Sequence, residues 1–299
     1  MKELTNEQNT QGNREHKSSL FNLAFEKKED KLALYNAVND TNYMDIDDLE
    51  VDTLNNALYM GVKNDISFLI GHTMNLYEHQ STKNANMPIR GLIYLSKQLE
   101  NYITKNKLNI YTSKMQKLPT PKYIVFYNGK ANEPDERIMK LSDAFIKDGG
   151  CIECEARLLN INYGHNRELM EKCNRLKEYS IFVATVRKYA DKNDCNLTKA
   201  ITLAIEECLN EGILKDILLT QRNEVVSMVL STFDKELYER DLKEEAFEEG
   251  VSVGEYRKLK SQIEKKLKKG MSEEDIADIL EESFDVIKQI ADELKERNL

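Results

Sequence analysis

Tryptophan is missing from this chain, and proline and glycine are scarce, with 4 and 12 residues among 299. That scarcity excludes collagen-like repeats and long Pro- or Gly-rich linkers. No apolar run approaches the roughly 18–20 residues that cross a bilayer. Residues 1–17 are polar and Asn/Gln/Glu-rich, without the apolar stretch of a signal peptide. The protein is therefore expected in a cytoplasm, a bacterial one, with no membrane partner. The five cysteines are odd in number and show no framework spacing, which excludes a disulfide scaffold. Cys151 and Cys154 form a lone Cys-x-x-Cys pair. A structural zinc site takes four ligands, and Cys173 and His165 are the only further candidates nearby, so reduced cysteines are expected.

Positive charge is also short. The net charge is −9, from 43 Lys+Arg against 52 Asp+Glu. Residues 235–299 carry 13 basic and 19 acidic side chains, leaving 30 and 33 for residues 1–234. A nucleic-acid binder usually presents a basic face, and the bulk charge does not advertise one. A local basic cleft with a bound metal remains compatible with an acidic chain.

What is present is a 40% hydrophobic, 32% charged chain long enough for a sizeable core. Residues 1–17 read as disordered. Ser18 or Ser19 suits the N-cap of a helix to Phe25, and a second helix covers about 28–38. Residues 39–50 read as loop and 52–60 as a short strand. Asp65–Ile70 and Met74–Gln80 read as strands around a Gly71-His72 turn. Pro88 opens a long helix from Met87, with Ile89, Leu92, Ile93, Leu99 and Ile103 at helical spacing. Tyr123–Tyr127 reads as a buried strand and Ile152–Asn162 as the last one. Beyond Arg167 only helical patterns remain: 167–191, 197–211, 214–233, and a charged helix over 235–269 broken near Gly250–Gly254. Its alternating charge suits either a homodimer or a solvated helix on its own domain. Ser272…Asp275 has capping-box spacing, and Ser283 can cap a further helix, so the tail resembles a helix-turn-helix. The second of these helices offers Asp285, Lys288, Gln289, Asp292 and Glu293, acidic on balance where a recognition helix meets phosphate, which disfavours DNA reading there.

The chemistry concentrates at Asp65 and at Glu78, 13 residues later, with Gln80 two positions beyond. A bent hairpin can place these on one side. Two carboxylates held close are costly unless a divalent cation lies between them. A Mg²⁺ there activates water and stabilises a phosphodiester transition state. Asp65 and Glu78 are the metal ligands of this reading, the His79 backbone carbonyl a third, and Gln80 orients water or contacts the scissile phosphate. Each residue also has a plainer reading. Asp65 suits a turn, and His79 alternates to the opposite face as a packing residue. Glu78 is the most telling, because a lone carboxylate inside an apolar strand is costly.

Asp65-Ile-Ser-Phe-Leu-Ile, Leu76-Tyr-Glu-His-Gln-Ser81 and Asn86-Met-Pro-Ile-Arg90 with Tyr94 resemble the PD-(D/E)XK nuclease family transposases, also called recombination-promoting nucleases. Leu118–Gly129 and Asn160–Asn166 are similar to that family as well, so the resemblance covers about residues 16–166. It implies an α/β fold with a restriction-endonuclease-like core, a central mixed sheet flanked by helices, followed by an all-helical C-terminal region. It implies a Mg²⁺-dependent DNA endonuclease, with Mn²⁺ able to substitute, that promotes recombination or acts on mobile DNA. The family's metal-binding acids fall on Asp65 and Glu78, and its lysine position is Gln80. Arg90 and Tyr94 would face the cleft, Arg90 on phosphate. The acid that precedes Ser-Leu-Phe in the family's first helix is Ser18 here, with Glu26, Glu29 or Asp30 as substitutes. The expected segments are a disordered 1–17, a nuclease-like domain 18–166, a helical region 167–234 packed on it, and a charged helix with a helical hairpin, 235–299. The alternative is a catalytically degenerate nuclease fold that serves as an interaction module.

Overall fold

The computed structural model describes residues 19–50, 66–192 and 196–296; side chains are not described at 234–253, 255 and 295–296. Asp65, Ser18 and the expected strand at 52–60 lie outside these residues. The chain divides into two compact units, one ending at Glu236 and one beginning at Leu237.

The first unit is α/β. Its strands are β1 (Leu49–Glu50), β2 (Ile66–Ile70), β3 (Thr73–Gln80), β4 (Thr120–Tyr127), β5 (Glu136–Lys140) and β6 (Glu155–Asn160). They form one mixed sheet in the order β1-β2-β3-β4-β6-β5. β2 and β3 pair antiparallel across the Gly71-His72 turn, and Gly71 adopts the left-handed φ of +55° that the turn requires. β3, β4 and β6 run parallel through the centre, while β1 and β5 close the edges antiparallel. Parallel neighbours need a crossover, and helix α3 (Met87–Lys105) supplies the one between β3 and β4.

Strand alternation assigns the two faces. Leu76, Tyr123, Val125, Tyr127, Ala156 and Leu158 pack with Met87 and Tyr94 of α3. Tyr77, Ile124, Phe126 and Leu159 turn the other way, into the larger core. That core is completed by α1 (Leu20–Ala24), α2 (Lys28–Asn39), α4 (Arg167–Lys172), α5 (Asn174–Ala190), α6 (Leu197–Glu211), α7 (Lys215–Thr220) and the start of α8 (Arg222–Leu267). Ser19 is the N-cap of α1, its hydroxyl accepting from the Asn22 amide at 3.1 Å.

Several local expectations change. β5 falls where no strand was expected, because only Met139 of its five residues is buried and the pattern carries almost no apolar signal. β1 and a 3₁₀ turn, Ile46–Asp48, replace part of the expected 39–50 loop. The last strand is shorter than 152–162. The helical run 167–191 is split at Cys173, whose extended backbone (φ −128°, ψ 92°) ends one helix and starts the next. α8 is unbroken through Gly250 and Gly254, although each helical Gly costs about 1 kcal/mol.

The second unit has its own core. Ile263 of α8 packs with Ile276 and Ala277 of α9 (Glu273–Leu280) and Ile287 and Ile290 of α10 (Phe284–Glu296). Ser272 caps α9, its hydroxyl accepting from the Asp275 amide at 3.1 Å. Asp285, Lys288, Gln289 and Asp292 are all exposed on α10. Among the described residues, no helix is long and apolar enough to cross a membrane.

Candidate functional site

Glu78 occupies an unusual position for a carboxylate. It lies on β3, an interior strand, in register with Val125 of β4, and is only 2% exposed. Alternation turns it to the α3 face together with Leu76 and Gln80. A charge buried there needs a partner, and α3 delivers one. Asn86 and Pro88 start the helix so that Arg90 falls on its first turn, and Arg90 Nη2 is ion-paired with Glu78 Oε1. The pair joins residues from adjacent elements, which makes it a product of the strand-to-helix crossover.

Two phenols complete the group. Arg90 Nη2 donates to the Tyr94 hydroxyl at 3.4 Å, and the guanidinium carbon lies 5.8 Å from the Tyr94 ring centroid. Tyr123, from β4, is 3% exposed, and its hydroxyl has no hydrogen-bond partner among the described residues. Burial, and secondarily the Glu78 charge, hold the Tyr123 phenol well above its ordinary pKa, so it stays neutral. Burial opposes the Arg90 charge, but the Glu78 carboxylate and Tyr94 more than offset it, and the Arg90 pKa is raised.

The expected site residues thus divide. Glu78, Arg90 and Tyr94 come together. Gln80 is half-buried at the end of β3 on the same strand face, its carbonyl accepting from the Asn128 amide at 3.0 Å. His79 turns to the opposite face, stacks on Phe21 at 5.1 Å between centroids, and its Nε2 meets the Tyr179 hydroxyl at 2.8 Å. Its backbone lies in the β3–β4 ladder opposite Phe126. Asp65 immediately precedes β2 and is outside the described residues. Of the substitutes for the first-helix acid, Asp30 is ion-paired with Arg175 of α5 at 3.3 Å.

Sequence reasoning missed Tyr123 and Gly91. Tyr123 belongs to a strand recognised from its β-branched and aromatic run, but only the parallel register, Leu76 opposite Tyr123, brings it beside Glu78. Its ring also borders a groove of about 480 Å³ lined by Leu92, Leu95, Leu99 and Arg157, which does not include Glu78.

Among the described residues no three His, Cys, Asp or Glu side chains group as a metal site. The cysteines of the lone Cys-x-x-Cys pair differ in setting, Cys151 exposed and Cys154 buried. The Glu78 carboxylate is nevertheless the right donor for Mg²⁺, a hard anionic oxygen in a buried position that demands a cation. That demand is met here by Arg90. The donor fits the metal, provided the guanidinium moves aside.

The chain matches no family model, no curated protein and no solved structure.

Proposed function

We propose that the first unit is a restriction-endonuclease-like nuclease that hydrolyses DNA phosphodiesters with Mg²⁺, or Mn²⁺ in its place, in recombination or against mobile DNA. The observation that carries the reading is Glu78, a carboxylate buried on an interior strand and faced by an arginine from the next helix. A hydrophobic pair of similar volume is often as stable as a buried ion pair, so stability alone does not call for a charge there. The family resemblance of the segments around Asp65, Glu78 and Arg90 supports the same reading.

In this reading Asp65, Glu78 and the His79 carbonyl hold the metal. When bound, the metal lowers the pKa of water and neutralises charge that develops on phosphorus oxygens. Gln80, sharing the Glu78 face of β3, positions the attacking water by hydrogen bonding. Arg90 grips a phosphate oxygen with its planar fork. Tyr94 steadies the guanidinium. The reaction is hydrolysis, with inversion at phosphorus expected from in-line attack.

A second reading has one observation in its favour. The Arg90–Glu78 ion pair neutralises the acid internally, as in a nuclease fold that has become a DNA- or protein-interaction module. One experiment separates the two. Plasmid cleavage in Mg²⁺, Mn²⁺ and Ca²⁺ is compared for the wild type, Asp65→Ala and Glu78→Ala, purified identically. Cleavage by the wild type alone, in Mg²⁺ and Mn²⁺, is the expected result. Equal cleavage by Asp65→Ala sinks the metal assignment. An inactive wild type that binds no divalent cation leaves the interaction module.

A further inference from the structure

We propose that Arg90 is an exchangeable counter-ion of Glu78, displaced by a divalent cation when a phosphodiester arrives to receive it, so that metal and substrate bind cooperatively. The inference rests on the reading of Glu78 as a metal ligand and concerns how that site is controlled.

The geometry of Arg90 is that of a group held at one point. A guanidinium has five N–H donors in a fixed fork, and its strongest carboxylate contacts use two of them in parallel. Here a single nitrogen, Nη2, serves both Glu78 Oε1 and the Tyr94 hydroxyl. Nη1 reaches only the Met87 sulfur at 3.7 Å, a weak acceptor, and Nε makes no hydrogen bond among the described residues. Both two-nitrogen edges of the fork, Nη1/Nη2 and Nε/Nη2, share the nitrogen held by Glu78, so a phosphate is gripped at two points only once that contact is released.

Burial is asymmetric in the same sense. The Glu78 side chain is 3% exposed and that of Arg90 is 24% exposed, so the carboxylate forms the floor and the guanidinium the mouth. The Arg90 backbone is fixed in the first turn of α3, its amide donating to the Asn86 carbonyl at 3.1 Å. The next residue, Gly91, lies tight against the Tyr123 ring. Only the flexible stem can move, and a swing about it carries the charge outward without disturbing the helix.

Competition follows from charge and space. Mg²⁺ sits about 2.0–2.1 Å from its oxygen ligands. A cation at that distance from Oε1 repels a guanidinium on the same oxygen. Metal alone must therefore leave Arg90 half-buried and without its anion, which opposes binding. A phosphate at the mouth takes up the released fork, and the penalty disappears. A ligand shifts such an equilibrium only by its differential affinity, and the coupling is reciprocal: substrate tightens metal as much as metal tightens substrate.

The test is calorimetric titration of the full chain with Mn²⁺, for the wild type, Arg90→Gln, Glu78→Gln and the double variant, with and without a short phosphorothioate DNA duplex. The expected result is that Arg90→Gln binds Mn²⁺ about tenfold tighter than the wild type, the scale of one charge-assisted hydrogen bond. Glu78→Gln abolishes the gain, and the duplex tightens Mn²⁺ binding in the wild type but not in Arg90→Gln. If Arg90→Gln does not fold, the duplex dependence of the wild type decides alone. Glu78-dependent Mn²⁺ binding that is unchanged or weaker in Arg90→Gln and indifferent to the duplex overturns the exchange and leaves the metal site standing. No Mn²⁺ binding by any variant overturns the metal site itself, and the exchange with it.

Discussion

Gly91 of α3 stands directly against the ring of Tyr123 on β4: a Cβ added at Gly91 would come within 2.4 Å of two Tyr123 ring carbons and 3.3 Å of Cys154 Sγ. The absence of a side chain is what lets α3 approach the sheet closely enough for Arg90, one residue earlier, to reach Glu78.

Gly91→Ala should therefore destabilise the first unit although Ala is the better helix former. Helix propensity alone favours the change by about 1 kcal/mol. Overpacking against a buried ring costs about 1–3 kcal/mol and wins. Urea unfolding of the wild type and Gly91→Ala measures the difference, and a variant that is more stable would show that α3 does not depend on this close approach.

Tyr179→Phe removes a hydroxyl that links two elements. It accepts from Asn128 Nδ2 at 3.0 Å and meets His79 Nε2 at 2.8 Å, inside a cluster that also holds Phe21 and Phe126. The ring volume survives, so the loss isolates the hydrogen bonds. Losing the two hydrogen bonds costs about 1–3 kcal/mol. A denaturation midpoint equal to that of the wild type would remove this link from the list of what anchors the end of β3.

The cysteines should separate by reactivity. Burial pushes the Cys173 and Cys208 thiols up to about 11, and burial raises Cys154 as well. Cys151 is exposed. Since the thiolate is the nucleophile, iodoacetamide near neutral pH should modify Cys151 before the three other cysteines among the described residues and leave Cys173 and Cys208 unmodified until the fold opens. Peptide mapping by mass spectrometry reads the order, and early labelling of Cys173 would contradict its placement in the core.

Acid should weaken one ion-pair network selectively. Arg175 holds both Asp216 oxygens, at 2.8 and 2.9 Å, and Lys27 adds a contact at 3.0 Å. The Arg175 hydrogen bonds, with Lys27 next, hold the Asp216 carboxyl well below the usual carboxylate range. A depressed carboxyl contributes stability above its unfolded value, about 3.9, and loses it as the pH falls through the lower folded value. Asp216 is 42% exposed, so solvent screening limits the effect to about 1 kcal/mol. Asp216→Asn should be less stable than the wild type at pH 7, and the gap should close below about pH 4. A gap that widens on acidification reverses the sign of this argument.

Legibility in the sequence followed burial. β3 and β4 were readable because Leu76-Tyr77 and Tyr123–Tyr127 are continuous apolar runs, and α3 because Pro88 marks its first turn. The alternation of strands and helices followed from these, and the helical C-terminal region from the apolar stripes beyond Arg167. β5 was not readable, since Glu136-Arg-Ile-Met-Lys140 carries charges at three of its five positions and is held by pairing with β6. The break at Cys173 was hidden for a different reason: a buried residue with extended backbone leaves the apolar stripe of a helix intact. At the site, Glu78 announced itself as an acid in an apolar strand, whereas Arg90 entered only through the family resemblance. That the two neutralise each other depends on the close approach of α3 to the sheet, which Gly91 permits and which no spacing encodes.

The strand order carries an implication for how the chain is built. Among the described residues β5 pairs only with β6, and β6 lies between it and β4, so the chain visits the edge before it fills the adjacent interior lane. On the ribosome, a nascent chain that ends before Glu155 has β1 to β4 able to associate and β5 with no ladder to join. The sheet can grow in sequence order only as far as β4. The last two strands must then be added in reverse, making the emergence of Glu155–Asn160 the step that commits the domain to its final shape.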